Sequence, residues 1–134
     1  MKWLAPDLIW ADDLDAEPGT LIRLSVAVCS DCARSSFPAT ETCAWCGTAT
    51  FRQPLESAGR LVAATAVLHS TPGAEVDVPY LVALVRFDDA RLDVLGTVAG
   101  TSDVEALRPG TAVTVVAAAP FPDDRRHYAY RVAS

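Results

Sequence analysis

The chain has 134 residues, room for one ordinary domain or two very small ones, and sets 11 Lys+Arg against 17 Asp+Glu for a formal net charge of -6. Such a chain repels phosphate backbones unless its basic residues cluster, and Arg125, Arg126 and Arg131 near the end are offset by neighbouring Asp123 and Asp124. A hydrophobic fraction of 51% is high for so small a domain and calls for either an unusually complete interior or, the preferred reading, apolar surface covered by a partner, yet no stretch approaches the roughly 20 apolar residues of a membrane helix.

Residues 1–20 read as an acidic arm carrying Trp3 and Trp10. Pro6 and Asp7 interrupt its short apolar run, so it does not read as a signal peptide, and the cytoplasm is the default compartment. Leu4, Leu8, Ile9 and Trp10 can share one face of a short helix after Pro6, and Pro18-Gly19 ends the segment. Such an arm either packs on its own domain or docks on a partner, where tryptophan is favoured.

A strand over 21–28 runs into the densest signal in the chain. Cys29-Ser30-Asp31-Cys32 and Cys43-Ala44-Trp45-Cys46 make C-x2-C-x10-C-x2-C and use all four cysteines. Two short CxxC turns can aim four thiolates at one tetrahedral ion, at about 2.3 Å from a zinc. The metal ligands predicted are Cys29, Cys32, Cys43 and Cys46, with zinc in a structural role. Four thiolates leave no open position for catalytic water, and a thioredoxin-type redox site needs only one pair. A rubredoxin-like iron site uses the same ligands, and two disulfides would suit a secreted chain. Gly47 follows the second pair, whereas Ala33 holds the matching position after the first. Residues 51–57 form the exit strand and a brief link. A ribbon spanning 21–56 has too little core to fold alone, so metal binding supplies most of its folding energy.

From Gly59 the pattern becomes strands separated by turns. A long strand over 61–69, apolar on both faces, suits a barrel strand covered on both sides or bent. A loop over 70–75 leads to a strand over 78–87, with Pro79 confined to its start. Asp88-Asp89-Ala90 turns the chain into a strand over 91–99, with Leu92, Val94 and Val98 on one side and Arg91, Asp93 and Thr97 on the other. Ser102 and Glu105 stand in capping-box spacing for a short helix that Pro109-Gly110 ends. A strand over 112–118 stops at Pro120-Phe121-Pro122, and a last strand over 127–132 sets Tyr128, Tyr130 and Val132 on one side. Five strands with a short helix between the third and fourth is the order of an OB-fold barrel. The fold class is mainly β: arm 1–20, rubredoxin-like zinc ribbon 21–56, five-stranded OB-fold barrel 57–134.

Catalytic machinery is sparse. His69 ends a strand beside a loop, and His127 starts the last strand facing solvent; both read as structural, not as general bases. Asp88 and Asp89 read as solvated turn formers. With the cysteines spent on metal no thiol nucleophile is left, and no G-x-S-x-G elbow, P-loop or dinucleotide fingerprint is present. The OB reading raises an alternative, a nucleic-acid-binding module, against which the acidic charge and few barrel aromatics weigh.

The chain resembles small zinc-ribbon/OB-fold proteins associated with acyl-CoA metabolism. The carrying residues are Val28-Cys29-Ser30-Asp31-Cys32, Phe37-Pro38, Cys43-Ala44-Trp45-Cys46-Gly47, Ser57-Ala58-Gly59-Arg60-Leu61-Val62, Val67-Leu68-His69 and Pro79-Tyr80-Leu81-Val82-Ala83-Leu84-Val85. The resemblance spans roughly 20–120 and implies an accessory subunit, without catalytic residues of its own, of a thiolase-fold acyl-CoA enzyme: a thiolase, an acyltransferase or a side-chain retro-aldolase of lipid or steroid metabolism. Other members accompany enoyl-CoA hydratase-like domains. It further implies a ribbon that helps dock the partner in a hetero-oligomer, a barrel along the access route of the CoA ester, and chemistry that belongs to the partner. The chain departs from the pattern in a shortened N-terminal helical region and in Ala33.

Overall fold

The computed structural model describes residues 2–69, 78–101, 103–121 and 125–133. Two antiparallel sheets carry the architecture. The smaller comprises β1 (Ser25–Cys29), β2 (Ser35–Ser36) and β3 (Thr50–Pro54), in the order β2-β1-β3. The larger comprises β4 (Ala58–Val67), β5 (Tyr80–Phe87), β6 (Leu92–Thr97), β7 (Ala112–Ala118) and β8 (His127–Val132), in the order β6-β5-β4-β7-β8. It curls until its outer strands meet: Val98 and Tyr130 form a parallel bridge, and the Ala99 amide donates to the Tyr130 carbonyl at 2.8 Å. That connectivity is the five-stranded OB-fold expected from the sequence.

Alternation explains why the strands form where they do. Along β5, Leu81, Ala83, Val85 and Phe87 are buried while Tyr80, Val82, Leu84 and Arg86 are only half-buried. The long strand β4 starts earlier than expected and ends before His69. Its register shifts between Leu61 and Ala63, so Leu61 is buried while Val62 is 42% exposed. This bulge bends the strand around the core. Strands β7 and β8 lie where the sequence put them. Tyr128 and Tyr130, expected on one side with Val132, both point inward, whereas Val132 is 39% exposed.

Two helical expectations become single turns. The arm holds 3-10 turns at Pro6–Leu8 and Ala11–Asp13, and of the four residues expected on one helix face only Ile9 is buried. Extended pairing explains it: Ile9 bridges Leu24, and Trp3 bridges Arg126 and donates from Nε1 to the Leu14 carbonyl at 2.7 Å. Arg126, 2% exposed, donates to the Ala16 carbonyl and to Glu17 at 3.4 Å, and Arg23 pairs with Asp13 at 3.0 Å. The arm therefore packs on its own domain. Between β6 and β7 lies one 3-10 turn, Val104–Ala106, capped by the Asp103 carboxylate accepting from the Glu105 amide at 3.0 Å. Ser102, expected as the cap, and the loop over 70–75 lie outside the described residues. A run this short before Pro109 cannot repay α-helix nucleation.

The closure of the sheet is locked from inside. The Tyr130 hydroxyl donates to the Val94 carbonyl at 2.9 Å and that of Tyr128 to the Leu95 carbonyl at 2.6 Å, tying β8 to β6. Burial raises the pKa of both phenols, so both keep their protons to donate. Gly96 admits the two rings: a Cβ there would lie 2.8 Å from ring carbons of both Tyr128 and Tyr130. Gly96→Ala is therefore expected to cost about 1–3 kcal/mol through overpacking. Tyr130→Phe should cost about 1 kcal/mol for the lost buried hydrogen bond. Urea denaturation of the metal-loaded protein measures both.

Candidate metal centre

Cys29 ends β1, and Cys43 lies in the loop that returns to β3. Each opens a turn of the same design. The Cys29 carbonyl accepts from the Ala33 amide at 3.1 Å and the Cys29 amide donates to the Arg34 carbonyl at 2.9 Å. The Cys43 carbonyl accepts from the Gly47 amide at 2.9 Å and the Cys43 amide donates to the Thr48 carbonyl at 2.8 Å. Such turns need a left-handed residue after the second cysteine. Gly47 meets this with φ 74° at no steric cost, and Ala33 meets it at φ 61° against its own Cβ. The turns are cross-tied where Thr48 donates to Asp31 at 2.9 Å and Ser30 donates to the Ala49 carbonyl at 3.1 Å.

The four sulfurs converge within 4.8 Å of one another. Cys29 to Cys46 is 3.3 Å, Cys32 to Cys43 is 3.7 Å and Cys32 to Cys46 is 3.9 Å. A tetrahedron with metal–sulfur bonds of about 2.3 Å has edges of about 3.8 Å, so the arrangement fits one tetrahedral thiolate-bound ion. The separations are far too long for disulfides, and all four thiols are free. Backbone amides already point at the site: those of Asp31 and Cys32 each lie 3.4 Å from the Cys29 sulfur. The Thr48 hydroxyl and amide, followed by the neighbouring thiols, lower Cys46 to about 6, and the Cys46 and Trp45 amides lower Cys43. At Cys32 the Arg34 amide favours the thiolate, but desolvation and the other three thiols push it up to about 11. Four donors and a closed first shell can hold an ion; they offer no position for a reacting water.

The remaining candidates are scattered. His69 lies past the end of β4. His127, expected to face solvent, is half-buried instead, its ring 4.5 Å from that of Tyr128; its Nδ1 is buried without a hydrogen-bond partner among the described residues, and burial lowers its pKa. Asp88 pairs with Arg60 at 2.6 Å, and the neighbouring Asp89 carboxylate raises the Glu56 pKa. The basic residues near the end form no patch: Arg125 stacks over Phe121 at 4.6 Å and Arg126 is buried.

Sequence reasoning missed the cleft between ribbon and barrel. Two hollows of about 330 and 600 Å³ share Ala33, Ser35, Asp89 and Ala90. Trp45 lies on the rim of the larger, 61% exposed, with the Arg34 guanidinium 5.0 Å from its ring. Only the exposed tryptophan inside the second CxxC hinted at it.

Two outcomes are expected. Cys29→Ser should lose bound metal and cooperative ribbon folding together, measured by metal content and circular dichroism. Ala33→Gly relieves roughly 1–2 kcal/mol of left-handed strain against about 0.5–1 kcal/mol of added chain entropy. Its melting temperature with metal bound should therefore rise slightly, while Ala33→Val should lower it.

Residues 52–118, half of the chain, match the family model described as the ChsH2 C-terminal OB-fold domain. Among solved structures, a chain of the Ltp2-ChsH2(DUF35) aldolase superposes with TM-score 0.69 at 19% identity, covering 84% of this chain and 86% of that one. A protein of unknown function of the DUF35 family from Sulfolobus solfataricus superposes with TM-score 0.55 at 18% identity, covering 83% and 76%. No curated protein sequence matches the chain. At these identities the structures establish a shared fold. The family match goes further, since it rests on sequence across β4 to β7: the chain belongs to the ChsH2 C-terminal OB-fold family.

Proposed function

We propose that this chain is a non-catalytic accessory subunit of a thiolase-fold acyl-CoA enzyme acting as an aldolase, thiolase or acyltransferase in lipid or steroid metabolism. It stabilises that enzyme in a hetero-oligomer and shapes the access route of the CoA ester. The observation that carries this reading is family membership combined with a chain whose reactive groups are spent on structure. A relative of the same fold occurs in the Ltp2-ChsH2(DUF35) aldolase, which favours an aldolase partner. On this reading residues 1–20 act as the arm, 21–56 as the docking ribbon and 57–134 as the barrel.

Zinc is the metal we assign to Cys29, Cys32, Cys43 and Cys46, in a structural role, because the donor set is all thiolate and closed. It would hold the two turns together and take no part in the reaction. Reduced thiols suit the cytoplasm. Among the described residues no helix is long and apolar enough to cross a membrane. The nucleic-acid alternative loses support on the barrel itself, where Arg60 and Arg86 are engaged by Asp88 and Asp93 and so are not free to meet phosphates.

The test is a mild-lysis pull-down of the tagged chain, with mass spectrometry of what it retains and turnover assays of the parts. A stoichiometric thiolase-fold enzyme is expected, with acyl-CoA turnover by the reconstituted complex and none by this chain alone. Turnover by the isolated chain, or nucleic acid surviving a moderate-salt wash, sinks the reading.

A further inference from the structure

The outward face of β4–β6 is organised in rows set by the strand register. Arg60, Arg86 and Asp93 lie abreast, then Ala63, Leu84 and Leu95, then Thr65, Val82 and Thr97. Their alternates Leu81, Ala83, Val85 and Val94 fill the core, so these side chains face away from it. Leu95 is 59% exposed at the centre of this face. The charged row is self-contained: Arg60 meets Asp88 at 2.6 Å and Arg86 meets Asp93 at 3.3 Å. In a chain of net charge -6, this is an apolar surface with a neutralised border.

Strand spacing and rise give the two uncharged rows an area on the order of 200 Å². A stable complex needs about 800 Å² from each partner. The surface continues, however, across the β5–β6 turn. Arg91 and Leu92 line the same hollow as Arg34 and Trp45, so the ribbon's exposed tryptophan extends the barrel face. Among the described residues no ion pair involves Arg34 or Arg91. Their positive charge stands at one end of the apolar rows.

We propose that the outward face of β4–β6 and the Trp45–Arg34–Arg91 cluster form one docking surface, occupied by the thiolase-fold enzyme. The inference rests on the accessory-subunit reading. The enzyme presents an apolar patch over Leu84 and Leu95 and a carboxylate opposite the two arginines. A second copy of this chain fits less well: a two-fold pairing about an axis along the strands would set these arginines against their own copies, and one about an axis across them would cover little beyond the small apolar rows. Tryptophan and arginine around a desolvated apolar centre are the residues that dominate binding energy.

The experiment measures affinity for the purified thiolase-fold enzyme recovered in the pull-down. Each variant is first checked for metal content and melting. Leu95→Asp and Trp45→Ala are expected to weaken binding about 30-fold or more. The double change Arg34→Glu with Arg91→Glu should weaken it about 10-fold and flatten its salt dependence. Leu4→Asp, at an exposed leucine of the arm, should bind as the wild type does. Folded Leu95→Asp and Trp45→Ala proteins that bind normally overturn this surface and leave the accessory reading standing. A wild-type chain that captures no thiolase-fold enzyme sinks the accessory reading and this inference with it. Leu95→Asp converting a dimer of the isolated chain to a monomer overturns the choice of occupant. If a variant does not fold, hydrogen exchange on the wild-type complex decides: protection over β6 and around Trp45 supports the surface, and its absence overturns it.

Discussion

Four thiol sulfurs drawn into so small a volume cannot all ionise there without a cation, because each thiolate raises the cost of the next. The ribbon depends on that constraint. Of its three short strands only β1 is largely buried, and its two turns are tied chiefly by backbone hydrogen bonds. With an ion the same geometry becomes a rigid corner, and that corner fixes where Trp45 and Arg34 stand relative to the barrel.

The barrel obeys a different logic. Its curled sheet is closed by the parallel Val98–Tyr130 bridge, and two tyrosine hydroxyls reach across the interior to reinforce it. Because Gly96 yields its side-chain space to those rings, β6 can lie close over β8 with its opposite face turned outward. The inside of the barrel is thus occupied by packing, and what remains for partners is its surface and the cleft beside the ribbon.

Much of this was legible in the sequence, for definite reasons. The double CxxC is a local pattern, and its fourfold convergence follows from two short turns. Strand β7 is an apolar, β-branched run bounded by Pro109-Gly110 and Pro120-Phe121-Pro122, and β8 sets two tyrosines two residues apart, so their limits could be read directly. The bounds of β4 could not, because its many small residues carry little contrast and a bulge shifts its register midway. The arm misled for another reason. Leu4, Leu8, Ile9 and Trp10 have helical spacing, but pairing of Ile9 with Leu24 and of Trp3 with Arg126 overrides local preference. The cleft was invisible because it joins Ala33 to Asp89 and Trp45 to Leu92, residues brought together only by the fold.

The pairing of the arm with β8 has a consequence for how the molecule comes into being. The Arg126 amide donates to the Lys2 carbonyl at 2.7 Å, and the Leu4 amide donates to the Arg126 carbonyl at 2.8 Å. During synthesis residues 2–4 leave the ribosome long before β8, which makes their berth. The ribbon's contacts are local and can form around metal while translation continues. Ile9 and Trp10 can pair with residues 23–24 early, but residues 2–4 must wait until β8 is made.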